Sequence, residues 1–153
     1  MTSVVILMMP SDRNRMAPYA YLNVFLADDD EEDAYFFAKA VDRTYPGCQV
    51  TRFENGNDLV VHLQVAGQDQ GVVFLDLVMP RLDGFWTLEQ IRQTDSLAEL
   101  PVFILSVSEA EQDIRRAYRL GANAYLIKPA TLTELTQLIQ PAIRFGMNQF
   151  TQP

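Results

Sequence analysis

A chain of 153 residues has the length of one ordinary domain and can bury roughly 70% of its unfolded surface, enough for a core without staples. Its residues are 48% apolar and 21% charged, near the globular average, which excludes a disordered or collagen-like chain. Twenty acids against twelve Lys and Arg give a net charge of −8, the wrong sign for a duplex-binding domain, so nucleic acid is not an expected partner. A single cysteine (Cys48) and a single histidine (His62) leave no multi-cysteine or His-rich metal framework and argue against a Ser-His-Asp hydrolase. The apolar run Val4 to Met9 is far short of a membrane span and has no basic segment ahead of it. Neither a membrane anchor nor a secretory leader is expected, and the chain reads as cytoplasmic.

In chain order, residues 1–20 join that run to a polar, proline-broken stretch and are expected to form a poorly ordered extension, with Met16 an alternative start. Residues 21–146 read as the folded domain and 147–153 as a short tail. The run LNVFLA (22–27) reads as a buried strand; 31–45 carry Ala34, Phe37, Ala38 and Val41 at helical spacing, ended by Pro46-Gly47. QVTRF (49–53) alternates as a strand, and Asn57 or Asp58 is expected to cap a helix through about Val65, ended by Gly67. VVFLD (72–76) is a continuous apolar run, hence a central parallel strand. A helix with Phe85, Leu88 and Ile91 on one side follows from Gly84, then the strand VFILS (102–106), a helix over 109–120 stopped by Gly121, and the strand AYLIK (124–128). Thr131 caps a last helix carrying Leu132, Leu135, Leu138 and Ile139, which Pro141 should kink or end. Five strand–helix pairs with right-handed crossovers predict an α/β (βα)5 parallel sheet with helices on both faces.

In such sheets ligands bind beyond the carboxyl ends of the strands. There the sequence delivers Asp28, Asp29 and Asp30 after the first strand, Asp76 after the third, Ser106 after the fourth and Lys128 after the fifth. Asp28, Asp29 and Asp76 cannot all be ionised at close range without a cation, and an oxygen-only set favours Mg²⁺. A carboxylate is a competent nucleophile toward phosphorus. Lys128 would neutralise charge on the transferred group and Ser106 would hydrogen-bond one of its oxygens, so the rim reads as a phosphoryl acceptor.

The motifs LADDD (26–30), FLDLVMPRLDG (74–84), FILSVSE (103–109) and GANAYLIKP (121–129) resemble those of receiver domains of two-component response regulators. The resemblance covers about 21–145 and implies a flavodoxin-like fold with strand order 2-1-3-4-5. It further implies that Asp76 accepts phosphate from a histidine kinase or phosphotransfer protein. Asp29 and Asp76 would ligate Mg²⁺ directly, Asp28 through water, and Val78 through its backbone carbonyl. Ser106 and Lys128 would take the family's hydroxyl and lysine roles, and Tyr125 that of the switch aromatic. The loop over 93–100 and an ending after which no further domain is expected resemble stand-alone receivers, including those paired with phytochrome-type or hybrid sensor kinases. Two departures stand out: Val78 is apolar where many relatives are polar, and Ala130 follows Lys128-Pro129 where an aromatic is common.

Blander readings sit beside these. Acids over 28–33 favour the positive end of a helix dipole, and Asp30, Glu31, Glu32 and Asp33 are expected to be surface and capping groups. Asp83-Gly84 is expected to shape a turn. Arg115, Arg116 and Arg119 read as a solvated face. Yet the fourth and last helices flank the strand bearing Tyr125, where a downstream protein or a second copy of the chain would dock. Two other functions compete: a small haloacid-dehalogenase-like phosphatase using Asp28-x-Asp30, weakened because Glu134 is the only acid after Lys128, and a phosphorylation-independent pseudo-receiver scaffold.

Overall fold

The computed structural model describes residues 22–66, 71–79 and 83–151. The N-terminal extension, Met16 and the helix-ending Gly67 lie outside them. The apolar runs form β1 (Asn23–Ala27), β2 (Gln49–Phe53), β3 (Gly71–Leu75), β4 (Val102–Ser106) and β5 (Ala124–Ile127). All pair in parallel, in the order β2-β1-β3-β4-β5. The connecting helices are α1 (Glu31–Thr44), α2 (Gly56–Ala66), α3 (Gly84–Gln93), α4 (Glu111–Arg119) and α5 (Leu132–Thr151). No helix among the described residues is long and apolar enough to cross a membrane.

Successive side chains of a strand point to opposite faces, and the two faces divide cleanly. Phe25, Val73, Leu75 and Ile104 meet Leu59, Leu63, Phe85, Leu88 and Ile91 of α2 and α3. Val24, Leu26, Phe74 and Leu105 meet Phe37 and Val41 of α1 and Leu135 and Ile139 of α5. Strands β3 and β4 are buried at every position, as expected of central parallel strands.

Local differences from the predicted elements have local causes. The buried stripe of α1 is centred on Phe37, so Ala40 lies inside and Ala38 on the solvent side. Helix α2 is capped two residues ahead of the nearer predicted cap, by Asn55, whose Oδ1 accepts from the Asp58 amide at 2.8 Å. Helix α5 runs through Pro141 to Thr151. Pro141 and Gln137, whose carbonyl loses its usual donor, are solvent-exposed, while Ile139, Ala142 and Ile143 are buried against the sheet. Burial of that face outweighs one lost backbone bond. Gly121 ends α4 as predicted, with φ of 99°, a conformation glycine adopts without steric cost.

Asp83-Gly84 starts α3, as predicted; residues 80–82 ahead of it, where the expected turn would fall, lie outside the described residues. Asp83 caps α3 by accepting from the Trp86 amide at 2.9 Å. A Cβ on Gly84 would lie 2.3 Å from the Asp76 carbonyl oxygen, a backbone atom that cannot swing aside. Gly84→Ala should therefore lower stability by about 2 kcal/mol through overpacking, read from the urea midpoint; an unchanged midpoint would contradict the close approach.

Candidate functional site

The strand order sets β1 beside β3 with Ala27 opposite Leu75, so the first residues beyond each strand, Asp28 and Asp76, emerge at one level. The ladder continues into them. The Asp28 amide donates to the Phe53 carbonyl and the Asp76 amide to the Ala27 carbonyl, each at 3.0 Å. From β2, Arg52 donates to the carbonyls of Asp28 and Asp29, both at 3.0 Å, clamping the acidic turn. Carboxylate oxygens of Asp28, Asp29 and Asp76 all lie within 4.8 Å of one another. Asp28 and Asp76 are buried and Asp29 is exposed.

Lys128 reaches into this cluster from the end of β5. Its Nζ lies 2.9 Å from Asp28 Oδ2, 2.9 Å from Asp33 Oδ2 and 3.4 Å from Asp76 Oδ2. Three carboxylates thus face one ammonium, with Asp29 beside them. Burial raises the Asp76 carboxyl above its usual range, and the Asp28 charge adds to this against the opposing pull of Lys128 and the Val78 amide. Burial pushes the Lys128 ammonium down, but hydrogen bonds to Asp33 and Asp28 and the Asp76 charge outweigh it and hold the group well above the ordinary lysine value. An excess of clustered oxygen ligands with no nitrogen or sulfur among them is the donor set of a hard divalent cation, and the site fits one.

The remaining predicted residues fall on the same rim. Ser106 is fully buried at the end of β4; its carbonyl accepts from the Lys128 amide at 2.8 Å and its Oγ from the Ser108 amide at 3.2 Å. Val78 is 71% exposed, and its amide donates to Asp76 Oδ1 at 3.4 Å. Tyr125 is half-buried against the α2–α3 side of the core, and its hydroxyl donates to the Ser108 carbonyl at 2.8 Å. Ser108 therefore touches both Ser106 and Tyr125.

Two contributors escaped the sequence reading. Asp33, expected to be a surface and capping group, bonds Lys128 directly, because the long Lys128 side chain reaches from the end of β5 to the first turn of α1. Arg52 looked like an ordinary alternating strand residue. Conversely, Asp30 does cap α1, accepting from the Asp33 amide at 2.9 Å, which commits the carboxylate that a D-x-D phosphatase would need. On α4, Arg115 is exposed and pairs with Glu111, whereas Arg116 lies over the Phe85 ring at 4.2 Å.

The sequence profile described as the response regulator receiver domain matches residues 24–140. Protein PilH of Pseudomonas aeruginosa is 30% identical over 120 residues, covering 78% of this chain and 96% of PilH. Response regulator Rcp1 of Synechocystis sp. is 26% identical over 135 residues, 85% of this chain and 92% of Rcp1. The crystal structure of its Mn²⁺-bound form superposes with a TM-score of 0.70, covering 86% of this chain and 98% of that one. The phosphorylated cyanobacterial phytochrome response regulator RcpA superposes with a TM-score of 0.74 at 28% identity, covering 86% of this chain and 97% of RcpA. With the flavodoxin-like strand order and the acidic rim already in place, these matches identify the chain as a member of the response regulator receiver domain family.

Proposed function

We propose that Asp76 is the phosphoacceptor of this receiver and that the cation it works with is Mg²⁺, held by Asp28, Asp29, Asp76 and the Val78 carbonyl. One observation carries the reading. The Asp76 carboxylate is buried, has its two oxygens beside the Val78 amide and the Lys128 ammonium, and lies among two further acids. In the transfer an Asp76 oxygen bonds to phosphorus while the P–N bond of a donor phosphohistidine breaks. The electron pair of that bond stays on the imidazole nitrogen, which takes a proton from solvent. When bound, the divalent cation would supply positive charge against the phosphoryl oxygens. Lys128 adds its ammonium, and Ser106 can donate its hydroxyl to a phosphoryl oxygen.

The added charge becomes a signal through Ser108. If Ser106 turns toward the phosphoryl group, its bond to the Ser108 amide breaks, and the carbonyl that holds Tyr125 is free to move. A downstream protein, or a second copy of the chain, reading α4, β5 and α5 would sense that change. The likeness to RcpA supports a phytochrome-type or hybrid sensor kinase, or a phosphotransfer protein, as donor. The chain then acts as a signalling protein, without turnover of a free substrate.

Acetyl phosphate with Mg²⁺ should add one phosphoryl group to the intact mass of the protein. No gain, or an equal gain in Asp76→Asn, would overturn the proposal. Val78, exposed and apolar at the mouth of the site, offers no hydrogen bond to an attacking water. Val78→Asn restores about one such bond, worth about 1 kcal/mol, and should shorten the phosphoryl half-life about fivefold; an unchanged half-life would contradict this.

A further inference from the structure

We propose that Asp33 is a positioning residue for the chemistry of Asp76, acting through Lys128, an inference that rests on Asp76 being the phosphoacceptor. An ammonium carries three N–H donors at fixed angles. Asp28 and Asp33 take two of them at 2.9 Å each, which leaves the third for Asp76, at the longer 3.4 Å. An ammonium free of such ties closes on a lone carboxylate to about 2.8 Å and occupies a lone pair that the nucleophile needs. Held by its two flanking acids, Lys128 stands near enough to Asp76 to neutralise an incoming phosphoryl group without capping the attacking oxygen.

The tie is itself built in. The Asp30 amide donates to Asp28 Oδ1 at 3.0 Å, the Asp33 amide donates to Asp30 Oδ1 at 2.9 Å, and Lys128 closes the ring from Asp33 back to Asp28. Asp33 thus enters from the capped first turn of α1, outside the three acids clustered for a cation. It also lines, with Lys128, Phe36 and Phe37, a cavity of about 230 Å³ beside the site, and its side chain is 45% exposed, so this bond and not close packing holds it in place.

The chain has only two lysines, Lys39 and Lys128, so the ¹⁵N signal of the Lys128 ammonium can be followed with Lys39 as internal control. Asp33→Ala should shift the Lys128 signal, leave that of Lys39 unmoved, and lower the rate constant of phosphorylation at saturating acetyl phosphate about tenfold, the effect of one charge-assisted bond. Asp33→Asn, which keeps an oxygen acceptor, should stay within about threefold of wild type. A wild-type rate and signal in Asp33→Ala would overturn the proposal, as would an Asn variant as slow as the Ala variant, since the effect would then belong to charge and not to orientation. If wild type itself gains no phosphoryl group, the phosphoacceptor reading fails; the Lys128 signal, which needs no phosphorylation, still decides whether Asp33 holds the ammonium.

Discussion

Asp76→Asn should abolish phosphorylation and at the same time stabilise the metal-free protein. The first effect follows because an amide oxygen is no longer an anionic nucleophile. The second follows from the environment of the carboxylate: burial, with the Asp28 charge beside it, raises its pKa in the folded state. A carboxyl raised on folding contributes stability below its unfolded pKa and loses it as pH rises through the folded value. At neutral pH the ionised Asp76 is therefore a net cost, and the neutral isostere removes it. Thermal unfolding without divalent ions should show Asp76→Asn melting a few degrees above wild type at pH 7, with the gap narrowing as pH falls into the ordinary carboxylate range. A variant that melts no higher than wild type, or that still gains a phosphoryl group, would contradict this.

Removal of Lys128 should act in the opposite sense. Its side chain is 13% exposed and, among the described residues, is the one cation that pairs with Asp28, Asp33 and Asp76. Lys128→Met keeps most of the stem but leaves buried Asp28 and Asp76 unpaired, a change that costs about 3 kcal/mol where a buried pair loses one partner. The lysine pKa is raised on folding, so its contribution is complete at neutral pH and fades only under strongly alkaline conditions. The loss should therefore be flat across neutral pH in urea titrations. Mg²⁺ should recover part of it, since a ligand at a hundredfold excess over its dissociation constant adds about 2.7 kcal/mol. Acyl phosphate formation should fall about 100-fold, as when one electrostatic stabiliser of a transition state is deleted. A metal-free variant as stable as wild type would remove Lys128 from the account of the site.

The parts of this site that were legible in the sequence are those tied to the ends of strands. Asp28, Asp76, Ser106 and Lys128 each close an apolar run, and in a parallel sheet that position alone assigns them to one rim. Asp33 and Arg52 were not legible for a common reason: each acts through the reach of a side chain between elements that are distant in sequence. Asp33 lies in a run of acids whose usual fate is a solvated first turn, and nothing local indicates that α1 presents it to residue 128. Arg92 is a third case. It ends α3 as a routine basic residue, yet it donates to the carbonyls of Ala98, Leu100 and Gly121 and to Asn123, tying together two loops. Pro141 shows the reverse: the helix does not end there, because a buried face continues past it.

The sharpest measurement is where the phosphoryl group goes. After treatment with acetyl phosphate and Mg²⁺, reduction of the acyl phosphate with borohydride and peptide mapping should place the modification on Asp76 alone. Modification of Asp28 or Asp29 with Asp76 intact, or none on any carboxylate, would contradict the account.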